Sequence, residues 1–255
     1  MSKMNEKPNT PLVVAHRGAS KIAPENTLKA FQKAIELKAD FIEFDLHQSK
    51  DQELVITHDP NTKRITGNDN FVEDLTLSEL RDLDFGEGEK IPTLQEAVNL
   101  CKGKIGLIIE VISKNMGKKI VQVLQDSKVI NTTIISSFNF KELQKIQNLE
   151  PRLKYASIIP YEVRAENNPK WLIWETKKEA IDRAAKNKFL YIHPHFALID
   201  KQLIDYSHQK GLKVNVYVVD VKPTMKRLSR YGIDGIMTND VILANKALKN
   251  IKEDN

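Results

Sequence analysis

Short apolar runs alternate with stretches in which apolar side chains return every third or fourth position, and this rhythm spans nearly the whole chain. The runs at 12–16, 40–46, 106–112, 132–136, 154–158, 189–193, 213–219 and 235–238 predict strands. Between them the spacing is helical. Residues 27–38 set Leu28, Phe31 and Ile35 on one stripe, and 116–127 do the same with Ile120, Val123 and Leu124. The stretches 200–210 and 222–231 follow suit. Asn26 or Thr27 after Pro24, and Asp200, are helix-start signals, while Gly211 and Gly232 stand where helices end. Eight strand–helix alternations predict an α/β fold, a closed (β/α)8 TIM barrel; a doubly wound open sheet is the alternative. The 255 residues match one such domain, expected over 11–251, with flexible tails at 1–10 and 252–255.

Two stretches break the rhythm. Residues 54–92 form a small insertion between the second and third barrel strands, with a short strand at 54–57, turn residues Asp59, Pro60, Asn61 and Gly67, and an apolar segment at 75–83. Residues 160–176 make a long connection carrying Tyr161, Trp171 and Trp174. Connections of this length tend to be functional or to hold a helix of their own.

Composition narrows the class. A hydrophobic fraction of 41% and a charged fraction of 29% belong to a globular chain with a substantial core. The net charge of +5 is spread along helical faces beside acids, as in Lys177-Lys178-Glu179, so no nucleic-acid partner is expected. One cysteine, Cys101, excludes an intramolecular disulfide. The polar first ten residues lack a secretory signal, and no apolar run is long enough to cross a membrane. A cytoplasmic protein is expected.

The polar residues at strand ends carry the chemistry. His16 closes the first strand and Arg17-Gly18 follows, an arrangement suited to a phosphate oxygen. Glu43 and Asp45, two apart on the second strand, project to one face. Glu110 lies inside the apolar run of the third. Pairing with neighbouring Lys or Arg would be the ordinary explanation for one such acid. Three on adjacent strands are costly to bury without a counter-ion, and a hard divalent cation, Mg²⁺ or Ca²⁺, takes carboxylate oxygens readily. His58 ends the short strand and precedes Asp59, so His16 and His58 are a candidate acid–base pair.

These residues resemble the glycerophosphodiester phosphodiesterase family. His16-Arg17-Gly18 with Pro24-Glu25-Asn26-Thr27 is similar to its HRG…PENT signature. Glu43-Phe44-Asp45-Leu46, Asp51, Val55 and His58-Asp59 resemble its E-x-D…D-x-x-x-V-x-x-H-D pattern. Ile91-Pro92-Thr93-Leu94 and Gly232-Ile233-Asp234-Gly235-Ile236 match two further segments in order. The resemblance implies a barrel that hydrolyses glycerophosphodiesters to glycerol 3-phosphate and an alcohol through a cyclic phosphate. It also implies a metal on Glu43, Asp45 and Glu110, proton exchange by His16 and His58, and Arg17 on the phosphate.

Three segments depart from the family pattern. Ile112 stands where the third strand usually has a lysine, and Lys114 is the candidate to replace it at the phosphate. The W-T-V-N segment reads Tyr217-Val218-Val219-Asp220, and T-D-x-P reads Thr238-Asn239-Asp240-Val241. His193 and Tyr217 are candidates for the substrate pocket. Trp171 and Trp174 are candidates for an apolar rim around an acyl chain, against the alternative of simple packing on the barrel. A rim would make the substrate a lysophospholipid and the activity a lysophospholipase D, with peripheral membrane contact. A catalytically weak member that only binds phosphodiesters is a further alternative. His47 is expected to point away from the Asp45 face, and His208 to sit on an outer helix.

Overall fold

The computed structural model describes residues 10–159 and 173–249. Eight parallel strands close on themselves: β1 (Leu12–His16), β2 (Phe41–Gln48), β4 (Gly106–Val111), β5 (Thr133–Ser137), β6 (Lys154–Ile159), β7 (Tyr191–Pro194), β8 (Lys213–Val216) and β9 (Gly235–Thr238). Pairing of β1 with β2 on one side and β9 on the other completes the ring, so the fold is the TIM barrel and the open sheet is excluded. The short β3 (Leu54–Ile56) lies antiparallel on β2, outside the ring. The expected tails fall almost wholly outside the described residues, as does most of the 160–176 connection, including Trp171.

Strand periodicity sorts the core into two layers. Ile42, Phe44 and Leu46 face outward into the main cluster beneath the helices, while Val14, Ile108, Ile134, Ala156, Tyr191 and Met237 fill the barrel interior. Helix α1 (Leu28–Glu36) shows how a covering helix is set. Thr27 caps it by accepting from Ala30 N at 3.2 Å, and Ala30, Phe31 and Ala34 form its buried face. The Phe31 ring packs 5.5 Å from that of Phe44; burying such a side chain contributes about 2–3 kcal/mol.

The excursion between β2 and β4 builds its own small core from Val55, Val72, Leu80, Phe85 and Ile91. It holds α2 (Lys63–Thr66) and α3 (Leu77–Asp82), the latter started by a Thr76–Glu79 capping box, and leads into α4 (Leu94–Cys101) with a second box from Thr93 and Glu96. The next two covering helices are α5 (Gly117–Asp126) and α6 (Phe140–Leu149), and those relevant below are α7 (Trp174–Lys186) and α8 (Lys201–Gln209).

Strand limits shift where pairing outruns apolarity. β2 extends to Gln48 because Leu46, His47 and Gln48 pair with β3. β8 stops at Val216, earlier than its apolar run. Among the described residues no helix is long and apolar enough to cross a membrane.

Candidate active site

The register at the C-terminal end of the barrel aligns the acids. His16 sits beside Glu43, and Asp45 beside Glu110. Glu43, Asp45 and Glu110 each offer an oxygen within 4.8 Å of the others. Burial, followed by the charge of Asp45, pushes the Glu43 and Glu110 carboxyls well above the usual carboxylate range. Arg17 is the cation that opposes this shift. Its Nε lies 3.3 Å from Asp45 Oδ2, an ion-pair contact without hydrogen-bond alignment, and its backbone N donates to Glu43 Oε2 at 3.1 Å. Asn26 Nδ2 donates to Asp45 Oδ2 at 2.8 Å. One guanidinium for three carboxylates leaves the cluster over-charged, and all-oxygen donors suit a hard divalent cation. The residues present therefore fit such an ion.

His16 is anchored from behind. Its Nδ1 lies 2.8 Å from Asn239 Oδ1, and Ser20 Oγ lies 2.9 Å from the same oxygen. Its Nε2 lies 3.9 Å from Glu43 Oε2. Burial first, then the Arg17 charge, lowers the His16 pKa below the ordinary imidazole value, so its neutral form is favoured. Arg17 and Gly18 both adopt positive φ, 55° and 80°, which turns the chain sharply after β1 and aims the guanidinium back over the acids.

His58 is anchored in the same way by a different partner. Its Nδ1 lies 2.7 Å from Asp59 Oδ1. Arg64 Nε donates to Asp59 Oδ2, while its terminal nitrogens donate to both Glu25 oxygens at 2.7 and 3.1 Å. Glu25 Oε1 also accepts from Arg17 Nη1 at 2.9 Å. Burial works against ionisation of Glu25 and Asp59, but the Arg64 hydrogen bonds outweigh it and hold both below the usual carboxylate range. A continuous chain, His58–Asp59–Arg64–Glu25–Arg17–Asp45, thus joins the excursion to the acid cluster.

His47 corrects an expectation. It lies two residues beyond Asp45 on β2 and shares its face; the imidazole is buried, with Nε2 3.1 Å from the carbonyl oxygen of His58 and Nδ1 3.3 Å from Ser113 Oγ. Pleat alternation required this. His47 is a strut under the His58 loop.

A narrow cavity between the acids and the barrel floor is lined by His16, Glu43, Glu110, Ser136, Ile158, His193, Tyr217 and Met237. Burial pushes the His193 pKa down to about 3, so it is a neutral floor residue. Tyr217 hydroxyl donates to Ile159 O at 3.3 Å, and burial, then the Glu110 charge, raises its pKa. Lys114 is exposed and is not among the charges acting on Glu110. Ile112 stands at the rim, 36% exposed. Trp174 begins α7 and packs edge-on against Tyr206 of α8 at 5.4 Å, away from the cavity. His208 sits on α8, with Nε2 2.8 Å from Asp234 Oδ2. Sequence reasoning missed Arg64, which carries no signal beyond its proximity to Asp59. It noted Asp220 and Asn239 only as departures from a pattern.

The profile of the glycerophosphoryl diester phosphodiesterase family matches residues 16–243. The chain belongs to that family. A glycerophosphodiester phosphodiesterase of Caldanaerobacter subterraneus is 35% identical over 90% of this chain and 94% of its own. An Oleispira antarctica phosphodiesterase, solved with the product sn-glycerol-3-phosphate, superposes with a TM-score of 0.82 at 26% identity, covering 94% of this chain and 97% of the other. The Thermotoga maritima glycerophosphodiester phosphodiesterase gives a TM-score of 0.78 at 28% identity, over 93% and 98%. Membership of the family thus rests on nearly the whole barrel.

Proposed function

We propose that this protein hydrolyses glycerophosphodiesters to glycerol 3-phosphate and an alcohol, with His16 and His58 exchanging protons and Arg17 steadying the phosphate. The observation that carries the reading is the pair of histidines, each held at Nδ1 by an oxygen, with His16 Nε2 3.9 Å from Glu43 of the three-carboxylate cluster and His58 joined to that cluster through Asp59, Arg64, Glu25 and Arg17. A divalent cation on Glu43, Asp45 and Glu110, Mg²⁺ or Ca²⁺, supplies Lewis-acid polarisation of the phosphoryl oxygen when bound. The glycerol hydroxyl beside the diester forms the new P–O bond as one imidazole takes its proton. The P–O bond to the alcohol breaks, and the other imidazole protonates the departing oxygen. Water then opens the cyclic phosphate with the two roles exchanged. The hydroxyl is already tethered next to phosphorus, so little entropy is lost in reaching it. The single, buried Cys101 accords with a cytoplasmic setting.

The test is release of glycerol 3-phosphate from glycerophosphocholine with Mg²⁺, with Ca²⁺ and with chelator. His16→Ala and His58→Ala should each lower turnover about 10²–10⁴-fold. Near-normal turnover in both would sink the reading. Unchanged ligand affinity without turnover in the wild type would instead identify a binding protein.

One observation supports lysophospholipids as a second substrate class. Ile22, Phe138, Phe196 and Val221 are exposed by 37–57%, and they follow β1, β5, β7 and β8 on the face where the cavity opens. Apolar tips there would meet an acyl chain or a lipid surface, as peripheral membrane contact requires. Replacing Phe138 with Ser should lower kcat/KM for lysophosphatidylcholine and leave glycerophosphocholine turnover unchanged.

A further inference from the structure

His16 is backed by two side chains from neighbouring strand ends. Asn239, just after β9, places Oδ1 2.8 Å from His16 Nδ1; its Nδ2 lies 2.5 Å from Oδ2 of Asp220, which follows β8. Asp220 Oδ1 also accepts from Asn239 N and Thr238 Oγ1, both at 2.8 Å. An aspartate carboxylate accepts hydrogen bonds and does not donate them. The amide must therefore turn its NH₂ to Asp220 and its oxygen to His16. An amide oxygen only accepts, so the imidazole must carry its proton on Nδ1. The lone pair of Nε2 is then left facing the carboxylate cluster.

We infer that Asp220 is a positioning residue that acts through Asn239 to hold His16 in the Nδ1–H tautomer, with Nε2 left bare for proton exchange. The two histidines differ in what stands behind them. Asp59 places a carboxylate oxygen 2.7 Å from His58 Nδ1. Asn239 offers His16 orientation without charge. The two departures noted along the sequence, Asp220 for Asn and Asn239 for Asp, touch each other in space. The same carboxylate–amide pair is present with its members exchanged, and the charge is moved one step further from His16. The use of that tautomer in proton exchange rests on the phosphodiesterase reading; the tautomer itself does not.

Two measurements test it. The first needs no activity: ¹⁵N spectra of histidine-labelled protein, with the His16 signal assigned by its loss in His16→Ala. A protonated Nδ1 and bare Nε2 are expected in the wild type, and a proton on Nε2 overturns the inference. The second compares Asp220→Asn, Asn239→Asp and the double exchange. Each single change unlocks or charges the pair, and kcat should fall roughly 10- to 100-fold with KM little altered. The double exchange restores one carboxylate and one amide and should recover kcat to within about threefold of the wild type. Single variants as active as the wild type, or a double variant no better than either, overturn it. Thermal unfolding of all three separates loss of folding from loss of turnover. A wild type with the expected tautomer but no turnover would sink the phosphodiesterase reading alone.

Discussion

Arg64 grips Glu25 with both terminal nitrogens, at 2.7 and 3.1 Å, across 39 positions of sequence, and turns its remaining N–H to Asp59. The contact ties the excursion that carries His58 to the β1–α1 loop that carries Arg17. Its half-exposed side chain limits what the ion pair adds to stability, to below about 1 kcal/mol. Its effect should appear in turnover. Lysine has one nitrogen where the geometry uses three, so Arg64→Lys should lower kcat about tenfold or more while the melting temperature moves little. Equal losses of stability and activity would show that Arg64 only holds the loop together.

His47 should act on the same loop from beneath. Removing its imidazole in His47→Ala frees the His58 carbonyl oxygen and opens a hole beside Ser113. A loss of about 1–3 kcal/mol in stability is expected, together with lower kcat. His47→Gln, which restores a donor of similar reach, should recover part of both. Chemical denaturation and steady-state kinetics on the two variants decide this.

The barrel was legible because β-rich runs and helical stripes alternate, and each buried run had to find a partner strand. The acids were legible for a similar reason: Glu43 and Asp45 are two apart on one strand, and Glu110 interrupts an apolar run. Contacts made across the sheet were not. Arg64 meets Glu25, and Asp220 meets Asn239, through loops whose approach no local periodicity encodes. His47 was misplaced although the pleat that aligns Glu43 with Asp45 extends to it. For Trp174 the packing alternative fits, since the helix that starts there turns the ring onto Tyr206.

Removing a bound cation should make stability fall as pH rises. In the unfolded chain Glu43 and Glu110 titrate near the ordinary value of about 4.3. In the cation-free fold burial and Asp45 hold their protons to higher pH. The folded state then binds more protons, so these two groups stabilise below the ordinary value and that contribution is lost as pH climbs through the raised pKa. His16 and His193, kept neutral by burial, tilt the curve the other way below about pH 6.5. The difference between wild type and Glu43→Gln/Glu110→Gln, both in chelator, cancels the histidines and should decline with pH. Added Mg²⁺ or Ca²⁺ should raise the wild-type melting temperature more at high pH than at low. A difference curve rising with pH would refute the assignment of the cluster.

Lys114 should prove dispensable. It is exposed, and Arg17 is the cation that acts on Glu110. Lys114→Ala is expected to stay within about twofold of wild-type kcat/KM, whereas Arg17→Ala should lose roughly 10²-fold or more. Ile112→Lys places a charge two residues beyond Glu110, on the same face. It should raise kcat/KM for diesters several-fold while weakening divalent-cation affinity, read by titrating metal against turnover. A large loss in Lys114→Ala would mean that Lys114 swings inward when substrate binds.

Gly18 offers a separable test of how Arg17 is aimed. Its φ of +80° already strains any other residue, and an added Cβ would lie 2.7 Å from Ala30 Cβ and 2.8 Å from Ala30 backbone carbon. The neighbouring Ala19 N donates to Ala30 O at 3.0 Å, so the loop has no room to retreat from α1. Gly103 shares the positive φ, +73°, but has open space around the same position. Gly103→Ala should therefore cost only the conformational strain, about 1 kcal/mol. Gly18→Ala should cost that plus the clash, about 2–4 kcal/mol in all, and should displace Arg17 enough to raise KM. Equal stability losses in the two variants would show that the loop shifts freely, and Arg17 would then owe its aim to Glu25 and Asp45 alone.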